Sequence, residues 1–178
     1  MIGMSASGKW KAALKRVRSI SKKRLRVLVD KRKFLPSQLE FFDKILDPAF
    51  SMMNVRNDER FWSWMGSEND FNTAVVETIV ATNSSEKIET FFSVIFMKVK
   101  AQEIFHMCLQ KMYNKFINAM VDENQIDLLE NLFEINFNEW ENEDFNPKMQ
   151  NLPALVKACM NNKYEIVRIL VANGFLLR

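Results

Sequence analysis

The chain has 178 residues, 48% of them hydrophobic, with a net charge of +3, which suits one domain with a sizeable core plus a tail. Its 4 glycines (Gly3, Gly8, Gly66, Gly174) are too scattered to cradle a phosphate, and its 2 cysteines (Cys108, Cys159) suggest neither a disulfide framework nor a metal site, so a reducing interior is expected. Residues 1–8 lack the apolar core of a signal peptide, and apolar runs stop at the length of Val94–Met97, far short of a membrane span.

Charge is divided unevenly. Residues 1–35 carry 12 Lys+Arg against one acid, Asp30, for +11, and the remainder carries 13 against 21, for −8. A basic arm on an acidic body has its own partner or folds back on the body. Within the arm, residues 9–34 predict a basic amphipathic helix. Trp10, Ala13, Leu14, Val17 and Ile20 recur at helical spacing, with Lys11, Lys15, Arg16, Arg18, Lys22, Lys23, Arg24 and Arg26 around and after them.

Leu35-Pro36-Ser37 reads as a turn into a new helix, whose stripe is Leu39, Phe42, Ile45 and Leu46 and whose end is Asp47-Pro48. Residues 54–72 are less regular. Phe61, Trp62, Trp64 and Met65 form a dense aromatic patch, read as core, which Gly66-Ser67 breaks. A helix is expected over Ala74–Val80, then a capped turn at Asn83-Ser84-Ser85, then a helix over Glu86–Phe96. A longer helical stretch runs from Ala101 to Val121, and Phe133, Ile135 and Phe137 are the one strand candidate. The fold class is all-α.

An internal repeat organises the last third. Residues 117–133 align with residues 155–171 at an offset of 38, pairing Ile117 with Leu155, Met120 with Ala158, Asn124 with Asn162 and Asp127 with Glu165. Leu128, Leu129 and Leu132 pair with Ile166, Val167 and Leu170. Each copy is a short helix, a polar turn, and a second helix packing through the apolar pair after the acid. Such a unit cannot bury its face alone, so neighbours must stack.

Leu152-Pro153-Ala154-Leu155-Val156-Lys157-Ala158-Cys159 followed by Glu165-Ile166-Val167-Arg168-Ile169-Leu170-Val171 resembles the two helices of an ankyrin repeat, with Gly174 as its C′ glycine. The 38-residue offset exceeds the usual repeat of about 33 residues, and the excess fits the loop Asn136–Asn151. The Asn161-Asn162-Lys163-Tyr164-Glu165-Ile166 stretch is also similar to the cytosolic N-terminal ankyrin segment of short (classical) transient receptor potential cation channels. Lys163 is inserted relative to that pattern, Lys157 replaces an apolar residue, and the resemblance covers about residues 116–175. The expected organisation is a basic arm at 1–35, a helical region of unassigned type at 36–110, and ankyrin-like repeats at 111–178, an α-solenoid of antiparallel hairpins.

What this implies is an interaction module: the cytosolic front end of a calcium-permeable channel, at the cytosolic face of the plasma membrane and in a homo-oligomer, or a cytoplasmic ankyrin adaptor. Catalysis is disfavoured. The sole histidine, His106, lies among apolar residues, and Cys108 is two residues on, facing elsewhere on a helix. The acids Glu139, Glu141, Glu143 and Asp144 lack the spacing and central glycine of a calcium loop, so no metal or cofactor is expected. The arm suits anionic lipid, with Trp10 at the interface, or a calmodulin-type groove anchored at Trp10, Val17 and Ile20. Nucleic acid is a third partner, disfavoured by the acidic body, and a solvated helix on that body is the plain alternative. Arg16 and Arg18 lie three residues before Ser19 and Ser21, a spacing that suits phosphorylation by a basophilic kinase.

Overall fold

The computed structural model describes residues 33–101, 106–135 and 152–175. Among these residues all regular structure is helical: α1 (Pro36–Leu46), a 3-10 turn (Met52–Val55), α2 (Glu59–Ser67), α3 (Asn69–Ala81), α4 (Ser85–Ala101), α5 (His106–Glu123), α6 (Ile126–Glu134), α7 (Leu152–Met160) and α8 (Tyr164–Ala172).

Local chemistry sets the ends. Pro36 opens α1 with its φ already helical, and the Leu35 N–H donates to Gln38 Oε1 at 2.8 Å. Asp47, held extended before Pro48, closes the helix. Asp58 caps α2 by accepting from the Arg60 and Phe61 N–H groups at 3.1 and 3.2 Å. The aromatic patch thereby becomes a regular helix that buries Phe61, Trp62 and Met65. The helix ends at Gly66-Ser67 as expected, with Glu68 extended before the next helix starts at Asn69. The Trp62 indole N–H reaches the Val55 carbonyl at 2.9 Å, so its polar edge is satisfied under cover.

The Ala74–Val80 stripe lies within a longer helix. Its first turn is held from outside, where Lys115 Nζ donates to the Asn69 carbonyl at 3.2 Å, Asn69 Oδ1 at 2.9 Å and Thr73 Oγ1 at 2.7 Å. No strand forms at 133–135. Phe133 lies inside α6, where Leu128, Leu129 and Leu132 are buried, so the helical period overrides the short alternation; Phe137 lies outside the described residues.

Helices adjacent in sequence pack together, as in α3 with α4, α5 with α6 and α7 with α8. Next-neighbours also pack: α1 with α3, α3 with α5 and α5 with α7 on one side, α4 with α6 and α6 with α8 on the other. A single cluster of buried side chains runs from Phe41 to Phe175. It crosses residue 110, the expected boundary, which falls inside α5. Aromatic rings bridge successive layers: Phe91 and Phe92 lie 5.5 and 5.1 Å from Phe116, and Phe133 lies 5.6 Å from Phe175. No helix among the described residues is long and apolar enough to cross a membrane.

Candidate interaction surface

The three turns that join paired helices each hold a left-handed asparagine. Asn83, Asn124 and Asn162 take φ of 53°, 55° and 54°, the left-handed region that asparagine tolerates better than other side chains except glycine. Gly174, at φ 88°, ends α8 in the same way. After Asn124, Asn162 and Gly174 the next N–H bonds five residues back: Gln125 to Met120 at 2.9 Å, Lys163 to Ala158 at 2.9 Å, and Phe175 to Leu170 at 3.1 Å. That is the six-to-one bond of a Schellman stop, which satisfies orphan carbonyls at a helix end.

Three residues beyond each asparagine stands an acid: Glu86, Asp127 or Glu165. Each lies in the first turn of its helix, where negative charge meets exposed N–H groups. The acids therefore have a structural role, and their exposure also makes the outer surface acidic. The copy at residues 76–92 extends the sequence repeat backward at an offset of 41 from the next. Its signal was the Asn83/Glu86 spacing, which large aromatics at Phe91 and Phe92 disguise.

Two lysines tie later elements to earlier helix ends. Buried Lys87 donates from Nζ to the carbonyls of Ile45 at 2.6 Å and Asp47 at 2.7 Å, at the end of α1. Lys163 does the same for α5, donating to the Val121 carbonyl and, at 3.0 Å, to that of Asp122. Cations suit the negative end of a helix. Burial pushes the Lys87 ammonium pKa below its ordinary value, with Asp47 and Glu86 opposing. Lys115 is lowered by burial and by Lys111, against Asp70 and Glu77. Glu77 is raised by burial and then by Asp122 and Glu123, against Lys115. Lys157 pairs with Asp122 across the α5–α7 contact, an exposed pair of little energetic weight.

Exposure separates the helix pairs. The exposed residues of α1 and α2 are Pro36, Ser37, Glu40, Asp43 and Lys44, and Glu59, Arg60, Ser63, Gly66 and Ser67, with no large apolar side chain among them. Helices α5 and α6 expose Lys111, Asp122, Glu123's neighbour Asn124 in the turn, Asp127, Glu130 and Glu134. Leu35, Met53 and, on α4, Met97 are exposed singly, whereas α7–α8 exposes Val156, Cys159, Met160, Tyr164 and Val171, with Met160 at 78% and Tyr164 at 76%.

The arm residues Trp10, Lys11, Lys15, Arg16, Arg18, Ser19, Ser21, Lys22, Lys23, Arg24 and Arg26, and the acids of residues 139–144, lie outside the described residues. So do the side chains of His106 and Cys108. Among the described residues no group of three His, Cys, Asp or Glu is placed to hold a metal. A hollow of about 100 Å³ between residues 48–52 and the start of α4 includes Lys87 in its lining. Cofactor and substrate sites are several times larger. Comparison with protein families, with curated proteins and with solved structures finds no match.

Proposed function

We propose that the chain is a protein-interaction module, an ankyrin-like stack of antiparallel helical hairpins. The observation that carries the reading is the threefold recurrence of a left-handed asparagine with an acid three residues later, in turns whose flanking helices pack on the corresponding helices of the next pair. On this reading α3–α4, α5–α6 and α7–α8 are three stacked units, and α1 with α2 closes one end. Such stacks present extended surfaces to other proteins.

The resemblance of residues 116–175 makes the specific form of the reading the cytosolic N-terminal part of a transient-receptor-potential-like, calcium-permeable channel. In that setting the module sits at the cytosolic face of the plasma membrane and supplies contacts between subunits. The basic arm then faces anionic lipid or a calmodulin-type groove. The message across the codon for Arg178 tests this form. Continuation into several apolar segments of about 20 residues each supports the channel. A stop codon there refutes it and leaves a soluble ankyrin adaptor. The interaction reading itself is tested by photo-cross-linking from the surface in cells that make the chain, with probes at Met160 and, as control, at Ser63. Discrete protein adducts from Met160 alone are expected, and equal or absent labelling from both refutes the reading.

A further inference from the structure

Helix α1 carries an apolar flank that the other described helices cover only in part. Its core side is Gln38, Phe41, Phe42 and Ile45. Leu39 and Leu46 stand beside that side, half-buried, and Leu35, at the N-cap, is 57% exposed. Spacings of four and eleven residues put the three leucines in one stripe along the helix. Glu40, Asp43 and Asp47, all exposed, line the outer border of that stripe at spacings of three and seven. Among the described residues neither Glu40 nor Asp43 forms an ion pair.

The chain enters α1 on this same side. Phe34, the residue before the N-cap, packs edge to face on Phe42 with ring centroids 5.3 Å apart. An apolar contact made from that position sets the angle at which a chain enters a helix. The Leu35 N–H, bound to Gln38 Oε1 at 2.8 Å, fixes the turn itself. A link this short makes consecutive helices antiparallel neighbours. With the turn at Leu35-Pro36, residue 31 falls opposite Glu40, residue 28 opposite Asp43 and residue 24 opposite Asp47. Residues 31 and 24 are Lys31 and Arg24, seven apart like the two acids they meet, and Leu25, Leu28 and Val29 lie at helical spacing beside them. Residues 22–33 hold seven Lys+Arg against the single acid Asp30, so charge as well as spacing matches the acidic border of α1.

We infer that the leucine flank of α1 is the docking site of the chain's own basic arm, whose residues 22–33 fold back antiparallel as a helix. Leu25, Leu28 and Val29 then cover Leu35, Leu39 and Leu46, and Lys31 and Arg24 meet Glu40 and Asp47. The arm's residues up to 32 lie outside the described residues, and the inference is carried by the open flank, the entry of the chain at Phe34 and the matched charges. It does not rest on the stacked-hairpin reading. It adds a regulation to the arm: a lipid surface or a protein groove that takes these basic residues does so in competition with α1.

A charge swap in the full 178-residue chain tests the docking. Amide hydrogen exchange is read by mass spectrometry on peptides covering residues 22–33, in dilute protein at low ionic strength. Glu40 is exposed, so its replacement leaves the fold of α1 intact. Glu40→Lys alone and Lys31→Glu alone each speed exchange at residues 22–33 by about two- to fivefold, the range of one exposed ion pair. The two together return it toward the wild-type rate, because the pair is restored with its signs reversed. Glu130→Lys, an equal change of charge on α6, leaves it unaltered. Four outcomes overturn the inference: exchange in the wild type as fast as in an unstructured peptide, single variants without effect, a double variant no slower than the singles, or an equal effect of Glu130→Lys. Protection that appears only as the protein is concentrated also overturns it, and makes the arm of a second copy the occupant.

Discussion

Replacing Lys87 by Met removes the strongest polar tie between α1 and the rest of the molecule. The Nζ atom donates to two main-chain carbonyls, Ile45 at 2.6 Å and Asp47 at 2.7 Å, and sits 5.9 Å from the Phe50 ring centroid. A buried acceptor stripped of its donor costs about 1–3 kcal/mol, and the end of α1 also loses a favourable cation. Against that, Met spares the desolvation of an ammonium and packs well beside Phe50. The net expectation is a loss of ~2 kcal/mol, which lowers Tm by about 4–8 °C in a chain of this length. Urea unfolding at pH 7 measures it. The pH dependence has a definite sign. Burial lowers the Lys87 pKa in the folded state, so just below the ordinary value of 10.5 the unfolded chain holds more proton. Stability contributed by Lys87 therefore rises with pH through that window, and the gap between wild type and Lys87→Met widens toward pH 10. A variant within about 0.5 kcal/mol of wild type at pH 7 refutes the assignment of Lys87 as a structural tie.

The left-handed turns make a paired prediction: Asn124→Ala costs about 1 kcal/mol in urea unfolding, whereas Asn124→Gly stays within about 0.5 kcal/mol of wild type, and equal losses for both disprove the conformational argument. Truncating the buried Leu129 to Ala costs about 2–5 kcal/mol, because it lies between α6 and its neighbours, and a smaller loss means that the layer is loosely packed. Glu77 runs opposite to Lys87. Its pKa is raised by burial and by Asp122 and Glu123, so the folded state holds the proton longer and stability falls as pH rises through the range above 4.5. Glu77→Gln is thus stabilising at pH 7, and its advantage shrinks as pH is lowered toward 4.5; an advantage that does not change with pH contradicts this. For the arm, Lys22→Gln with Lys23→Gln weakens binding to phosphatidylserine-containing vesicles by about 2 kcal/mol, read by co-sedimentation, and unchanged binding excludes lipid as its partner.

Much of the fold was legible because it is periodic. The stripe Leu39, Phe42, Ile45 and Leu46, closed by Asp47-Pro48, could only be a helix that stops there, and α1 ends at Leu46. The repeat was legible at Asn124 and Asn162, where an asparagine and an acid at fixed spacing bracket two short apolar patterns. It was hidden at Asn83 because that unit fills its layer with Val75, Phe91 and Phe92, and the last fills the same places with Ala154 and Val171 or their neighbours. Side-chain size thus conceals a register that the left-handed asparagines reveal. Long-range ties were not legible at all. Nothing in the sequence spacing pairs Lys115 with Asn69 and Thr73, or Lys87 with the end of α1. Such contacts exist only after helices distant in sequence have packed.

The same ties explain why the molecule has a direction. Lys87 and Lys163 both reach backward, toward helix ends formed earlier in the chain. On the stacked-hairpin reading, each unit thus ties itself to the one before it. Exposed apolar side chains stand at both ends, Leu35 and Met53 beside α1 and Tyr164 and Val171 on α8. An exposed valine on its own means little on a protein surface. Here the valine stands where α4 and α6 hold a buried and a half-buried phenylalanine, and the difference is cover: Phe133 lies 5.6 Å from the Phe175 ring that follows α8, whereas Val171 is 45% exposed.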